Sequence, residues 1–220
     1  MDEAMGAEKK ENCYEIYYIK EDALKLLLAG LGQTQWYGLF SGDGQKETTN
    51  RILAELYQNG MIDWDGAGAA LRAPYAKMFS VMLEKKSCVT IQSPVLLSPV
   101  RCCYLSQTGV VLTQKSQRED RTLGIALLPV QGFIRMLEAE CARLEAGECC
   151  IFSCRSSQTG QAFQKLRVSR DGLRAYQVEI QTENGAGTRL HCMQDELAAR
   201  LGKLLYTEAA AKHSGFLQEK

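Results

Sequence analysis

The chain has 220 residues, with 26 Lys plus Arg balanced by 26 Asp plus Glu. Hydrophobic residues make up 45% and charged residues 24%, a globular composition that excludes an extended disordered chain. The zero formal charge excludes a strongly basic protein that coats nucleic-acid phosphates.

Met1 to Asn12 is polar and charged, and reads as a loose start with no basic-then-apolar secretory signal. Tyr14 to Ile19 is aromatic and β-branched, which predicts a short strand. Lys20-Glu21-Asp22 opens a helix to about Leu31, with Leu24, Leu27, Leu28 and Leu31 on one face. Gly30 and Gly32 stop it, and Gly38 to Gln45 reads as a loop. A second helix runs from about Glu47 to Asn59 and ends at Gly60. After a turn at Asp63 to Gly68, the spacing of Tyr75, Met78, Phe79, Met82 and Leu83 predicts a third helix over about Ala69 to Lys86, with Pro74 in its first turn.

From Ser87 the hydrophobic period changes to two. Cys88 to Ile91, Val100 to Ser106, Val110 to Lys115 and Thr122 to Leu128 read as strands, followed by a helix from Val130 to Ala146 capped by Gly147. The same order then recurs. Cys149 to Cys154, Phe163 to Ser169, Leu173 to Thr182 and Thr188 to Cys192 read as strands, and Gln194 to about Ala211 as a helix. Asp171-Gly172 and Asn184-Gly185 are strong hairpin turns. The expected fold is therefore α+β: an antiparallel sheet built from two ββββα quasi-repeats, preceded by an N-terminal helical segment. One domain over residues 1–220 is expected, with halves at about 20–146 and 147–211.

The longest apolar run near a candidate span is Leu123 to Val130, broken by Gly124 and Pro129. A bilayer needs about 20 apolar residues, so a soluble, cytoplasmic protein is expected. The nine Cys are an odd number without an export signal, which argues against a disulfide framework. Cys102-Cys103 and Cys149-Cys150 are neighbours on strands, so each pair should put one thiol inward and one outward. The Cys149-Cys150 and Cys154 cluster has no second metal-binding knuckle, and the plainer reading is small buried hydrophobes.

No motif demands catalysis. Ser41-Gly-Asp-Gly44 lacks the Lys-Ser/Thr of a phosphate loop. His191 and Cys192 point apart on a strand and cannot form a dyad with each other. No enzyme, metal or cofactor is expected, although an active site assembled from scattered residues stays open as a third reading.

Two pattern readings remain. Three helices followed by a β-hairpin look like a winged helix, a DNA-binding regulator. Met1 to Thr90 holds 10 basic and 13 acidic residues, leaving 16 and 13 for the rest, so that helical part is net acidic, which is unfavourable for meeting phosphates. The other reading starts from Leu56-Tyr-Gln-Asn-Gly60-Met-Ile-Asp63, Cys88-Val-Thr-Ile91, the Arg-led strand Arg101-Cys-Cys-Tyr-Leu105 and the Gly109-Val-Val-Leu112 hairpin, preceded by the strand and Leu-rich helix from Tyr17 to Leu31. In that order and pattern the chain resembles the EspG-like proteins, the cytosolic specificity chaperones of type VII (ESX) secretion. The chain is shorter than typical members, mainly in its second half. The resemblance implies a quasi-symmetric mixed fold and a helical-hairpin secreted partner of the WXG type or related, with no nucleic acid and no membrane insertion.

A chaperone of this kind needs an exposed apolar surface. Val95, Leu96 and Leu97 stand between Pro94 and Pro99, which keep them out of a sheet centre. They are the candidate partner-binding residues, with Arg118, Glu119 and Arg121 as a polar rim. The plainer readings are a crossover packed on the core and a solvated hairpin tip.

Overall fold

The computed structural model describes residues 14–32, 48–64, 68–95, 100–117, 119–157, 159–172, 174–185 and 187–214, with side chains of the last helix as far as Tyr206. The chain begins with strand β1 (Tyr17–Lys20), helix α1 (Glu21–Gly30) and helix α2 (Thr49–Gln58). A small hairpin follows, β2 (Ile62–Trp64) and β3 (Ala69–Leu71), and then α3 (Tyr75–Leu83). Strands β4 (Ser87–Gln92), β5 (Val100–Leu105), β6 (Val110–Lys115) and β7 (Thr122–Leu128) lead to α4 (Val130–Ala142). Strands β8 (Cys149–Ser156), β9 (Ala162–Arg170), β10 (Ala175–Thr182) and β11 (Gly187–Met193) lead to α5 (Gln194–Ser214).

Nine strands form one antiparallel sheet in the order β1-β7-β6-β5-β4-β8-β9-β10-β11. The fold is thus α+β. β4 and β8 are the seam, paired antiparallel from Ser87↔Ser156 to Gln92↔Ile151. The hairpin glycines do what their dipeptides require: Gly172 and Gly185 hold φ of +94° and +74°, which costs little only for glycine.

Two local expectations are corrected. The third helix does not begin at Ala69: residues Ala69–Leu71 pair with β2, and the Arg72 amide donates to the Met61 carbonyl at 2.9 Å. Pro74 disfavours helical geometry in the residue before it, so the helix starts at Tyr75. The fourth helix stops at Ala142 rather than Ala146. The Arg143 and Leu144 amides turn to the Glu140 and Cys141 carbonyls, a tight three-residue closure that leaves Leu144 buried beyond the helix.

The sheet has a core on each side. One is continuous across the seam: α4 and α5 lay Phe133, Leu137, Leu197 and Leu201 over Val89 and Phe152. Each such side chain contributes roughly 1.5–3 kcal/mol on burial. On the other side, α1, α2 and α3 place Leu24, Ile52 and Phe79 over Cys102, Val111 and Ile125. This second core includes residues of β1 and β4–β7 but none of β8–β11. The neighbouring thiols follow from it. Cys102 and Cys103 do point to opposite faces, yet both are buried because both faces are covered there. Cys150 is buried while Cys149 stays partly exposed, because the layer over β4–β7 does not extend to β8.

Candidate partner-binding surface

Of the predicted residues, Val95, Glu119 and Arg121 are described, and they lie at one end of the sheet. Gln92 of β4 pairs with Val100 of β5, and Lys115 of β6 with Leu123 of β7, so the β4–β5 loop and the β6–β7 hairpin leave the sheet at the same end. They lie two strand spacings apart, about 10 Å. Leu96, Leu97 and Arg118 fall outside the described residues. Val95 is half-buried and packs against the core under α4 and α5, as in the plainer reading of the crossover. The loop is anchored beside it, where the Cys150 thiol donates to Ser93 Oγ at 3.1 Å.

Arg121 is not a free rim charge. Its guanidinium donates to both oxygens of Asp22 at 2.9 and 3.0 Å, and its carbonyl accepts from the Glu21 amide at 2.8 Å. This fastens the β6–β7 tip to the start of α1. Glu119 is exposed and accepts from the Thr122 hydroxyl at 3.2 Å. It lines a shallow hollow of about 350 Å³ with Tyr18, Lys20, Glu55 and Asn59.

A larger apolar hollow of about 620 Å³ opens in the helical layer, between Leu27 of α1, Leu53 of α2, Leu71 of β3 and Phe79 of α3. Sequence periodicity predicted its walls as core stripes. What it could not show is that the hairpin and α3 stand far enough apart to leave this space.

The surface that sequence reasoning missed is the outward face of β8–β11. Alternation along β9 sends Leu166 and Val168 into the core and leaves Lys165 and Arg167 exposed. In register beside them, Arg167 lies opposite Glu179, and Glu179 opposite Arg189. The Arg189 guanidinium reaches Glu179 at 2.9 Å. Arg155 is exposed on β8 and donates to the Gly160 carbonyl at 3.2 Å. His191 is exposed on β11, with Nδ1 3.3 Å from Asp171, while Cys192 is buried on the opposite face. Four cations and one carboxylate on the described strands thus share a sheet face that no described helix covers. The signal was present as the period-two Lys165–Arg167 pattern. Only the topology shows that the described helical layer stops short of it.

Hydrogen bonding with Cys141 lowers the Cys150 thiol, while most of the other buried thiols are suppressed by burial. Burial pushes Cys88 up to about 12, and Cys103 well above the ordinary thiol range. Hydrogen bonding to Cys150, together with burial, also raises Cys141. Among the described cysteines only Cys149 is partly exposed. Brief alkylation of the native protein is therefore expected to mark Cys149, with the seven buried thiols reacting only in denaturant. Peptide mapping by mass spectrometry checks this. Native labelling of Cys103 or Cys141 at the rate of Cys149 would refute the packing. Among the described residues, no group of three or more His, Cys, Asp and Glu is placed to hold a metal ion, and no helix is long and apolar enough to cross a membrane.

Neither a protein-family model nor a curated protein matches this sequence.

Proposed function

We propose that the chain is a non-enzymatic adaptor, a cytoplasmic chaperone of EspG-like character that holds a helical secreted partner of a type VII secretion system. Two ββββα halves, related about the β4–β8 seam, form its frame. The observation that carries the reading is the asymmetry of the sheet: on one side a helical layer covers β4–β7, and among the described residues no helix reaches β8–β11 on that side. A sheet face beside an existing helical layer is a ready platform for a helix from another protein.

DNA binding by a winged helix has less support. The reader helix would be α3, and it buries Met78, Phe79, Val81 and Met82. Of the basic residues near it, Arg72, Lys85 and Lys86 fall outside the helix, which leaves Lys77. Arg72 is also paired with Asp63. Phosphate contacts need several exposed cations on the docking element.

Co-expression tests the proposal. The chain is produced with small WXG-type helical-hairpin proteins and passed through size-exclusion chromatography. A stable one-to-one complex is the expected result. Two folded proteins eluting apart, or a chain that instead binds duplex DNA in a salt-dependent way, would overturn it.

A further inference from the structure

The outward face of β8–β11 differs chemically from the part of the same sheet face that the chain covers itself. Under α1–α3 the strands present Cys102, Val111, Leu123 and Ile125. The part that no described helix covers presents Arg155, Lys165, Arg167 and Arg189, with Glu179 the opposing charge among them, beside the apolar Ile151 and Met193. Arg189 is engaged with Glu179, and Arg155 with a backbone carbonyl. Lys165 and Arg167 form no ion pair among the described residues. An apolar face commits a permanent cover. A cationic face beside a helical layer suits a cover that comes and goes and carries acid.

The spacing fits a helix. Lys165 and Arg167 stand on the same side of β9, about 6.6–6.8 Å apart along the strand. Residues four apart on an α-helix advance about 6 Å along its axis. Two carboxylates at i and i+4 of a helix lying along β9 therefore meet the two cations in step. Four strands with neighbours about 4.7–4.9 Å apart span about 14–15 Å, room for one helix of about 10–12 Å diameter.

We propose that this face takes the acidic side of an amphipathic helix of a partner protein, aligned along β9 next to the helical layer, with Lys165 and Arg167 as its two anchoring cations. The assignment rests on the adaptor reading and names the chemistry of its partner. A second copy of the chain is the weaker occupant. Of the acids of the helical layer that could dock there, Asp22, Glu55 and Asp63 are already paired with Arg121, Lys20 and Arg72, and Glu84 accepts from the Ser80 and Thr108 hydroxyls. A single nucleic-acid strand is weaker too. Such strands stack on aromatic rings, and the described outward positions of β8–β11 carry no Phe, Tyr or Trp.

The test uses the full chain and three fluorescent probes: a stapled helix of about 20 residues with Glu at i and i+4 along one face, the same helix with Lys in place of Glu, and a single-stranded DNA oligonucleotide. Anisotropy should show binding of the Glu helix and none of the Lys helix. The double variant Lys165→Glu/Arg167→Glu should weaken Glu-helix binding by about tenfold or more, while Lys77→Glu on α3 leaves it unchanged. Far-UV circular dichroism confirms folding, which two exposed positions should not disturb. Equal binding by wild type and double variant overturns the site. So does tighter binding of the oligonucleotide, or a double variant whose one effect is on self-association in sedimentation. The co-expressed complex separates the two levels of the argument. A complex that survives the double charge reversal leaves the adaptor standing and removes this face. A wild-type chain that forms no complex removes the adaptor, whatever the peptide does.

Discussion

Glu140→Gln is expected to lower stability by about 3–5 kcal/mol, because it leaves a buried guanidinium without its counter-charge. Glu140 on α4 and Arg101 on β5 are 9% and 12% exposed and form an ion pair across the core. The pair is under-satisfied: Arg101 Nε and Glu140 Oε2 lack partners. Burial raises the Glu140 carboxyl above its ordinary value, and Arg101 opposes that rise. The two partners are therefore not equivalent. A glutamate left alone can take up a proton, whereas arginine stays charged. Arg101→Met should cost less than Glu140→Gln, and its cost should depend on pH. Without Arg101 the carboxyl is pushed further up. A group whose folded pKa is raised contributes stability below its unfolded value and loses that contribution as pH rises through the folded value. The Arg101→Met deficit should thus be small near pH 4 and grow toward neutrality. Replacing both partners, as Arg101→Met with Glu140→Leu, should bring stability back to within about 1 kcal/mol of wild type or above it. Urea titrations of the three variants at acid and neutral pH check the order. A Glu140→Gln protein as stable as wild type, or a pH-independent Arg101→Met deficit, would contradict the arrangement.

Phe152→Ala should cost about 3–5 kcal/mol. Phe152 lies on β8, is 1% exposed, and stands in register between Ile91 of β4 and Leu166 of β9. It fills the α4–α5 core where the two sets of strands meet. Because the hydrogen-bonded sheet runs without interruption from β1 to β11, the loss should not stay local. Slow amides in β6 and in β9 should lose protection together in native-state hydrogen exchange. Loss confined to β8–β11, with β6 unchanged, would show that the seam does not couple the strands.

Much of this fold was legible in the chain. Period-two strands bounded by Asp171-Gly172 and Asn184-Gly185 leave little choice of hairpin, and the strands Val110 to Lys115 and Thr122 to Leu128 have the bounds read from the sequence. The third helix misled because Ala69 to Leu71 is short, mildly apolar and followed by a run with true helical spacing. Its pairing with β2 is a non-local event that propensity does not record. The candidate site was less legible. Val95 and Arg121 were chosen for exposure, and the structure spends them on packing and on fastening the hairpin to α1. Lys165 and Arg167 alternate with apolar residues as on any half-buried strand, and what distinguishes them is that no described helix covers their side. Which strands a helical layer reaches depends on sheet order, and sheet order is fixed by pairings such as β4 with β8, far apart in sequence.

The most direct measurement is acetylation footprinting of the lysines in the complex with the helical-hairpin protein. Lys165 on β9 and Lys77 on α3 are both exposed in the free chain. If the bare sheet face holds the partner helix, Lys165 becomes protected on complex formation while Lys77 labels as before. Lys165 labelling at the same rate in the free and the bound chain, with protection appearing elsewhere, would contradict the account.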